Sequence, residues 1–143
     1  MIEYQKILYK NNLNVFKDIL INIRDKGLSN NNHLYITFFT NHKKVELPNW
    51  LKQKYPEEMT IIIQHEYYDL RINKNNFSIS LSFNDIKTNL IIDYNSIISF
   101  ADPSANFGLI LQKNKSQNNL KKNLGPKRSK KDNVINFSSY KKN

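Results

Sequence analysis

The first hydrophobic pattern along the chain has the spacing of an α-helix. Between positions 4 and 23, five apolar residues keep roughly one face of a 3.6-residue period, with Phe16 and Leu20 beside them: Tyr4, Leu8, Val15, Ile19 and Ile23. Gly27 then favours the end of a helix, because glycine readily adopts the left-handed backbone of a C-terminal cap. We therefore predict one amphipathic helix over residues 4–26, with an apolar stripe wide enough to pack against more than one surface.

From residue 33 onward the pattern changes to that of β-strands. Residues 33–40 are rich in β-branched and aromatic side chains, which predicts a strand buried on much of both faces. Residues 77–83 alternate strictly between apolar residues and serine, which predicts a strand with one dry and one polar face. The remaining predicted strands are short and lie, in order, at 60–64, 68–72, 90–92, 97–100 and 107–111.

Turn-forming residues separate these strands. Pro48 favours a short helical turn that continues through Leu51. Asparagine tolerates the left-handed region, so residues 73–76 are predicted to form a turn and Asn84-Asp85 to close a hairpin. Short strands with turns about every ten residues predict a mainly β protein, a small barrel over residues 33–112 behind the N-terminal helix.

After Gln112 the apolar signal collapses. Residues 113–133 contain almost only Lys, Asn, Ser and Gln, which predicts a disordered linker because too little apolar surface exists to offset chain entropy. An apolar cluster follows at the end of this polar segment and consists of Val134, Ile135, Phe137 and Tyr140. We predict three regions: a folded domain over 1–112, a basic linker over 113–133, and a docking motif over 134–143.

Charge divides the chain at the same point. Residues 1–112 hold 12 Lys/Arg and 11 Asp/Glu, whereas residues 113–143 hold 10 Lys/Arg and one acid, so the tail carries +9 of the total +10. Such a tail either neutralises the phosphates of a nucleic acid or forms a solvated tether. Residues 113–133 lack the aromatic side chains of a single-strand binding platform. We favour the tether, and an RNA-binding small barrel with a basic tail stays the alternative.

Candidates for catalysis or metal binding are few. The chain has no cysteine, which excludes disulfides and thiolate chemistry. His33, His42 and His65 do not have the spacing of metal ligands, and each is interpreted as a surface or half-buried polar group. Glu57 and Glu58 are adjacent, so their side chains point apart, and we interpret them as part of a solvated loop. We predict neither an enzyme nor a bound metal or cofactor.

The start of the chain does not have the pattern of a secretory signal peptide, which is a basic segment followed by an apolar stretch. No apolar run approaches the roughly 20 residues that a transmembrane helix needs. These two observations predict a soluble, cytoplasmic protein.

Two segments resemble a known family. Tyr55–Leu70 (YPEEMTIIIQHEYYDL) and Phe100–Leu109 (FADPSANFGL) are similar to the body of stringent starvation protein B (SspB), in the form found in alphaproteobacteria. The resemblance extends over about Tyr4 to Gln112, with a weaker likeness at the C-terminus. It implies a small Sm-like β barrel that forms a homodimer through its N-terminal helix.

The resemblance also implies a function. SspB proteins are adaptors that bind ssrA-type degradation tags in a groove on the barrel and deliver tagged polypeptides to the ClpX unfoldase of the ClpXP protease. Their C-terminal segment docks on ClpX, and here this role falls to Val134, Ile135, Phe137 and Tyr140. No cofactor is implied.

The groove residues are assigned through the same resemblance. Gln64 is the first candidate, because an amide side chain donates and accepts hydrogen bonds as a peptide unit does. Two further candidates for the groove are His65 and Tyr68, which are close to Gln64 in sequence. The apolar pocket walls are expected from four residues: Phe83, Phe100, Ala101 and Phe107.

Overall fold

A computed structural model describes residues 1–29 and 31–112. Helix α1 covers Tyr4–Lys26, as predicted, and ends at Gly27, whose φ is +74° and whose N–H donates to the carbonyl of Ile23 at 2.8 Å. The predicted linker and docking motif lie outside the described residues. Within the described part of the chain, no helix is long and apolar enough to cross a membrane.

Seven strands and one short helix follow α1. Their bounds are β1 Leu34–Phe39, α2 Asn49–Lys54, β2 Glu58–Ile63, β3 Tyr67–Ile72, β4 Asn76–Phe83, β5 Ile86–Asp93, β6 Ile97–Asp102 and β7 Phe107–Ile110. Single 3₁₀ turns at Tyr94–Ser96 and Pro103–Ala105 flank β6. Every predicted strand is present, with ends that differ by a few residues.

The strands form two antiparallel sheets. The first sheet has the order β2-β1-β6-β7 and the second the order β3-β4-β5. An isolated bridge between Glu46 and Ile91 adds a short pairing at the free side of β5. Two sheets closed round one core, with a helix at the N-terminus, confirm the predicted class of a small β-barrel-like domain.

Helix α1 joins the two sheets through Phe16. The fully buried Phe16 ring meets Phe77 of β4 edge-on, with centroids 5.8 Å apart, and Phe100 of β6 at 6.1 Å. Leu20 and Ile23 lie on the same helix face and are also buried. One face of α1 therefore forms the part of the core that both sheets share.

Two details differ from the sequence prediction. Strand β5 is much longer than the predicted 90–92, because Asn84 and Asp85 both have positive φ, 51° and 66°, as a two-residue type I′ hairpin requires. That turn lets pairing begin at once with Phe83 opposite Ile86. Glu58 was predicted in a loop, and this is wrong: it is the first residue of β2 and pairs with Phe39.

Candidate functional site

A groove of about 720 Å³ runs between the C-terminal half of α1 and the β6–β7 end of the first sheet. We call it the α1–β7 groove. It is lined by residues from α1, from the loop after α1, and from β1, β6, the second 3₁₀ turn and β7: Val15, Asp18, Ile19, Asn22, Ile23, Gly27, Leu28, Asn32, Leu34, Phe100, Asp102, Ala105 and Phe107.

The helix wall of the groove includes Val15 and Ile19, which belong to a second apolar stripe of α1. Tyr4, Leu8, Val15 and Ile19 lie about a quarter of a turn round the helix from the buried face, and we call them the outer stripe. Tyr4, Leu8 and Val15 are exposed, at 70%, 55% and 40%, and Ile19 is half-buried. The apolar surface of α1 is therefore as wide as predicted, because it consists of a buried face and an exposed stripe beside it.

The floor of the groove is aromatic. Phe100 is almost fully buried and Phe107 is 39% exposed, and their ring centroids lie 6.2 Å apart. Their approach follows from the turn between β6 and β7. Pro103 opens a 3₁₀ turn, and Asn106 in the left-handed region, with φ of 52°, reverses the chain so that Phe107 pairs with Asp102.

A chain of hydrogen bonds fixes the mouth of the groove. Ser29 Oγ donates to Asn32 Oδ1, Asn32 Nδ2 donates to Ser104 Oγ at 3.2 Å, and Ser104 Oγ donates to Asp102 Oδ1 at 2.7 Å. These bonds connect the loop after α1 to the β6–β7 turn. The two sides of the mouth are therefore held together by polar contacts rather than by packing alone.

The groove combines an apolar floor with an acidic rim. Asp18 and Asp102 are the ionisable residues among those that line it, and no lysine, arginine or histidine is in this set. The described residues also contain no cluster of three His, Asp or Glu side chains that could hold a metal ion. The arrangement suits an apolar peptide or side chain, and it favours a ligand with basic groups at its edges.

The structure brings together two of the predicted groove residues. Phe100 and Phe107 line the α1–β7 groove. Ala101 is buried next to Phe100 and pairs with Tyr35 and Gly108, so it supports the floor without lining the groove.

Gln64 and His65 lie in the loop between β2 and β3 and do not line the groove. The loop is at the same end of the first sheet, because the preceding residue Ile63 pairs with the groove residue Leu34. Gln64 is half-buried, and the exposed His65 has its Nε2 atom 3.7 Å from Glu66 Oε2.

Tyr68 and Phe83 belong to the second sheet. Tyr68 is exposed on the outer face, with the Lys87 ammonium 4.4 Å from its ring centroid. Phe83 is half-buried and meets Trp50 of α2 edge-on at 6.3 Å. The seven predicted residues thus do not form a single site: Phe100, Ala101 and Phe107 belong to the groove or its support, and the other four lie elsewhere.

Sequence reasoning missed most of the α1 wall and the rim. The outer stripe was visible as apolar periodicity, but nothing in the sequence showed that it borders a groove with Phe107. Asp18 and Asp102 could not be recognised as site residues from the sequence, because they are isolated acids far apart along the chain. Only the fold places both of them at the α1–β7 groove.

The sequence model of a family described as Stringent starvation protein B matches residues 11–142. No curated protein matches the chain. The family match begins a few residues after the start of α1 and extends through the predicted linker into the predicted docking motif. Since it covers most of the chain, this protein belongs to the SspB family, a family of adaptors for the ClpXP protease rather than of enzymes.

Proposed function

We propose that this protein binds ssrA-type degradation tags and delivers the tagged polypeptides to ClpXP in the cytoplasm. The observation that carries the proposal is the match to the SspB family over residues 11–142. The α1–β7 groove supports it, because an open apolar groove beside a sheet edge is suited to an extended peptide.

The proposed peptide site uses both the groove and the neighbouring strand. Strand β7 is at the edge of the first sheet and pairs only with β6 among the described strands, so its outer backbone groups face away from the sheet. A peptide strand beside β7 would place alternate side chains over Phe107 and Phe100. Backbone pairing would supply affinity, and the apolar floor would supply selectivity.

Gln64 and His65 are proposed to contact a further part of the same peptide, beyond the segment that pairs with β7. From β7 to β2 the first sheet is three strand spacings wide, about 14 Å, so roughly five further extended residues would be needed to cross the end of the sheet. Tyr68 and Phe83 stay predicted contacts, at the start of β3 and the end of β4.

Delivery is proposed to depend on the C-terminal segment. Val134, Ile135, Phe137 and Tyr140 would dock on ClpX, and residues 113–133 would link this motif to the barrel. A flexible link raises the local concentration of a bound tag at the unfoldase to about the millimolar range, so a weak dock is sufficient.

A homodimer through α1 is the proposed assembly. The N-terminal part of the outer stripe, Tyr4 and Leu8, is exposed. It precedes the first buried helix residue, Phe16, by two to three turns. A second copy of α1 would cover these apolar side chains and would bring two docking motifs to one ClpX ring, which adds avidity.

The tag site is tested by Phe107→Asp, with Ile110→Asp as the matched control. Both residues lie on β7 and are similarly exposed, at 39% and 41%, but only Phe107 lines the groove. We expect Phe107→Asp to weaken binding of a labelled ssrA-type tag peptide about tenfold or more, because an unpaired charge would lie on the apolar floor. Fluorescence anisotropy measures this change. Equal losses in the two variants would show that the groove is not the tag site.

The role of the tail is tested by deleting residues 134–143. We expect the shortened protein to retain tag binding and to lose delivery, because the apolar docking cluster is gone. The measurement is the degradation rate of a tagged fluorescent protein by ClpXP, at substrate concentrations low enough to need an adaptor. Delivery that persists after the deletion would place the docking motif elsewhere.

A salt titration tests the alternative of an RNA-binding protein. The affinity of the basic tail for RNA would fall steeply as salt is added, because binding releases counterions from the phosphates.

A further inference from the structure

We propose that the α1–β7 groove also binds the chain's own C-terminal segment, residues 134–140, and holds it against the barrel until a tag peptide displaces it. The part of this proposal that concerns displacement rests on the proposed tag-binding function. Self-binding is supported by charge and by chain length, and it requires only a weak affinity.

Charge is the first reason. The groove presents two acids, Asp18 and Asp102, and no basic side chain among its lining residues, beside the apolar floor of Phe100 and Phe107. The segment 134–140 has a mainly complementary pattern, since its apolar residues are flanked by Lys130 and Lys131 before it and by Lys141 and Lys142 after it, against one acid, Asp132. An apolar anchor between lysines therefore fits both the floor and the rim.

Chain length is the second reason. Gln112 is tied to the start of β6, because its Nε2 atom donates to the carbonyl oxygens of Asn95 and Ile97 at 2.8 and 2.7 Å. The groove lies at the other end of β6, near Asp102, about 15 Å farther along the strand. A flexible chain of the length of residues 113–133 has a mean reach of about 25 Å, so the tether spans this distance without strain.

The affinity that the contact needs is small. Through a tether of this length, the effective concentration of the segment at the groove is about millimolar. A segment with an intrinsic Kd of about 1 mM would therefore occupy the groove roughly half of the time. Binding of a tag peptide and binding of the segment would then exclude each other, and each would weaken the other by the same factor.

This competition would couple the two activities of the adaptor. An adaptor without cargo would have its ClpX-docking motif covered about half of the time, and a bound tag would release that motif. An empty adaptor would then bind ClpX about twofold more weakly than a loaded adaptor. This coupling is local, because it requires only that one peptide replace another in the α1–β7 groove.

Disulfide trapping in the full-length chain tests the contact, and the absence of native cysteine makes every introduced pair unambiguous. The test pair is Asn22→Cys with Ser138→Cys, since Asn22 is exposed and lines the groove and residue 138 follows Phe137. The control pair is Gln53→Cys with Ser138→Cys, since Gln53 is exposed on α2 and does not line the groove. Oxidation in a glutathione buffer gives the effective concentration of each pair.

We expect the test pair to form an intramolecular disulfide with an effective concentration about tenfold above that of the control pair. Adding Phe137→Asp should reduce the test pair to the control level. Equal effective concentrations in the two pairs would overturn the proposal. A product of dimer size only would assign the groove to the tail of a second copy and would also overturn it.

A second measurement does not depend on disulfide geometry. A nitroxide attached at Ser138→Cys in the otherwise unchanged chain should broaden the amide signals of Ile19, Asn22 and Phe107 and leave those of α2 sharp. An ssrA-type tag peptide should reverse the broadening, and Phe137→Asp should tighten tag binding about twofold. Broadening that the tag peptide does not reverse, together with no tag binding, would refute the proposed function and leave the self-contact intact. Tag binding that depends on Phe107, without broadening or trapping, would refute the self-contact alone.

Discussion

The two apolar faces of α1 differ in burial, although they belong to the same helix. Phe16, Leu20 and Ile23 are buried against both sheets, whereas Tyr4, Leu8 and Val15 on the outer stripe remain exposed. The buried face specifies the fold, and the outer stripe is available for a partner, a peptide or a second copy. A single helix thus carries a buried apolar face and an exposed one, about a quarter of a turn apart.

The sharpest test of this comparison uses two adjacent residues. Phe16→Ala should destabilise the domain by about 3–5 kcal/mol, because the ring fills space between Phe77 and Phe100 and its removal leaves a cavity. Val15→Ala should change the free energy of unfolding by less than about 1 kcal/mol, since Val15 is 40% exposed. Denaturant unfolding measures both. Similar losses for the two variants would mean that the outer stripe also belongs to the core.

The next test concerns the N-terminal end of the outer stripe, which is exposed. Leu8→Asp should raise the dissociation constant of the proposed homodimer about tenfold or more and leave the unfolding free energy of the monomer nearly unchanged. The control is Ile21→Asp, because Ile21 is also exposed on α1 but lies away from the outer stripe. Light scattering over a concentration series gives the assembly state. A wild-type protein that stays monomeric at high concentration would remove the proposed dimer at once.

The smallest expected effect is at the mouth of the groove. Ser104→Ala removes the hydroxyl that links Asn32 to Asp102, and the loss of such exposed hydrogen bonds is worth about 1 kcal/mol. We expect tag-peptide affinity to fall about fivefold, with a small change in stability. Ser82→Ala is the control, because Ser82 is exposed on the second sheet, away from the groove. Unchanged affinity in Ser104→Ala would show that the mouth does not shape the site.

The sequence predicted the elements well where one periodic pattern decided the outcome. Helix α1 matches its predicted bounds because Tyr4 to Ile23 keep a helical period and Gly27 supplies the cap. Strand β5 was underestimated, because its first half carries Lys87 and Asn89 on the outer face and has too few apolar residues to be recognised as a strand. There the hairpin turn, not hydrophobicity, determines where pairing begins.

The candidate site was less predictable, for a physical reason. A groove is a relation between elements distant in sequence, and here Val15 on α1 and Phe107 on β7 share it. Periodicity reports which face of an element is apolar, but not which other element borders that face. The family resemblance supplied Phe100 and Phe107, and the acidic rim emerged only once the fold placed Asp18 and Asp102 beside them.

The position of Phe16 between the sheets also has a consequence for synthesis. Its two aromatic neighbours, Phe77 and Phe100, are translated 61 and 84 residues later. At about 5–20 residues per second, Phe16 is made roughly 4–17 s before the last of these partners. During that interval the buried face of α1 lacks its native contacts. The helix is made first but completes its packing last, so the nascent chain is most exposed to aggregation, and most in need of a chaperone, before β6 emerges.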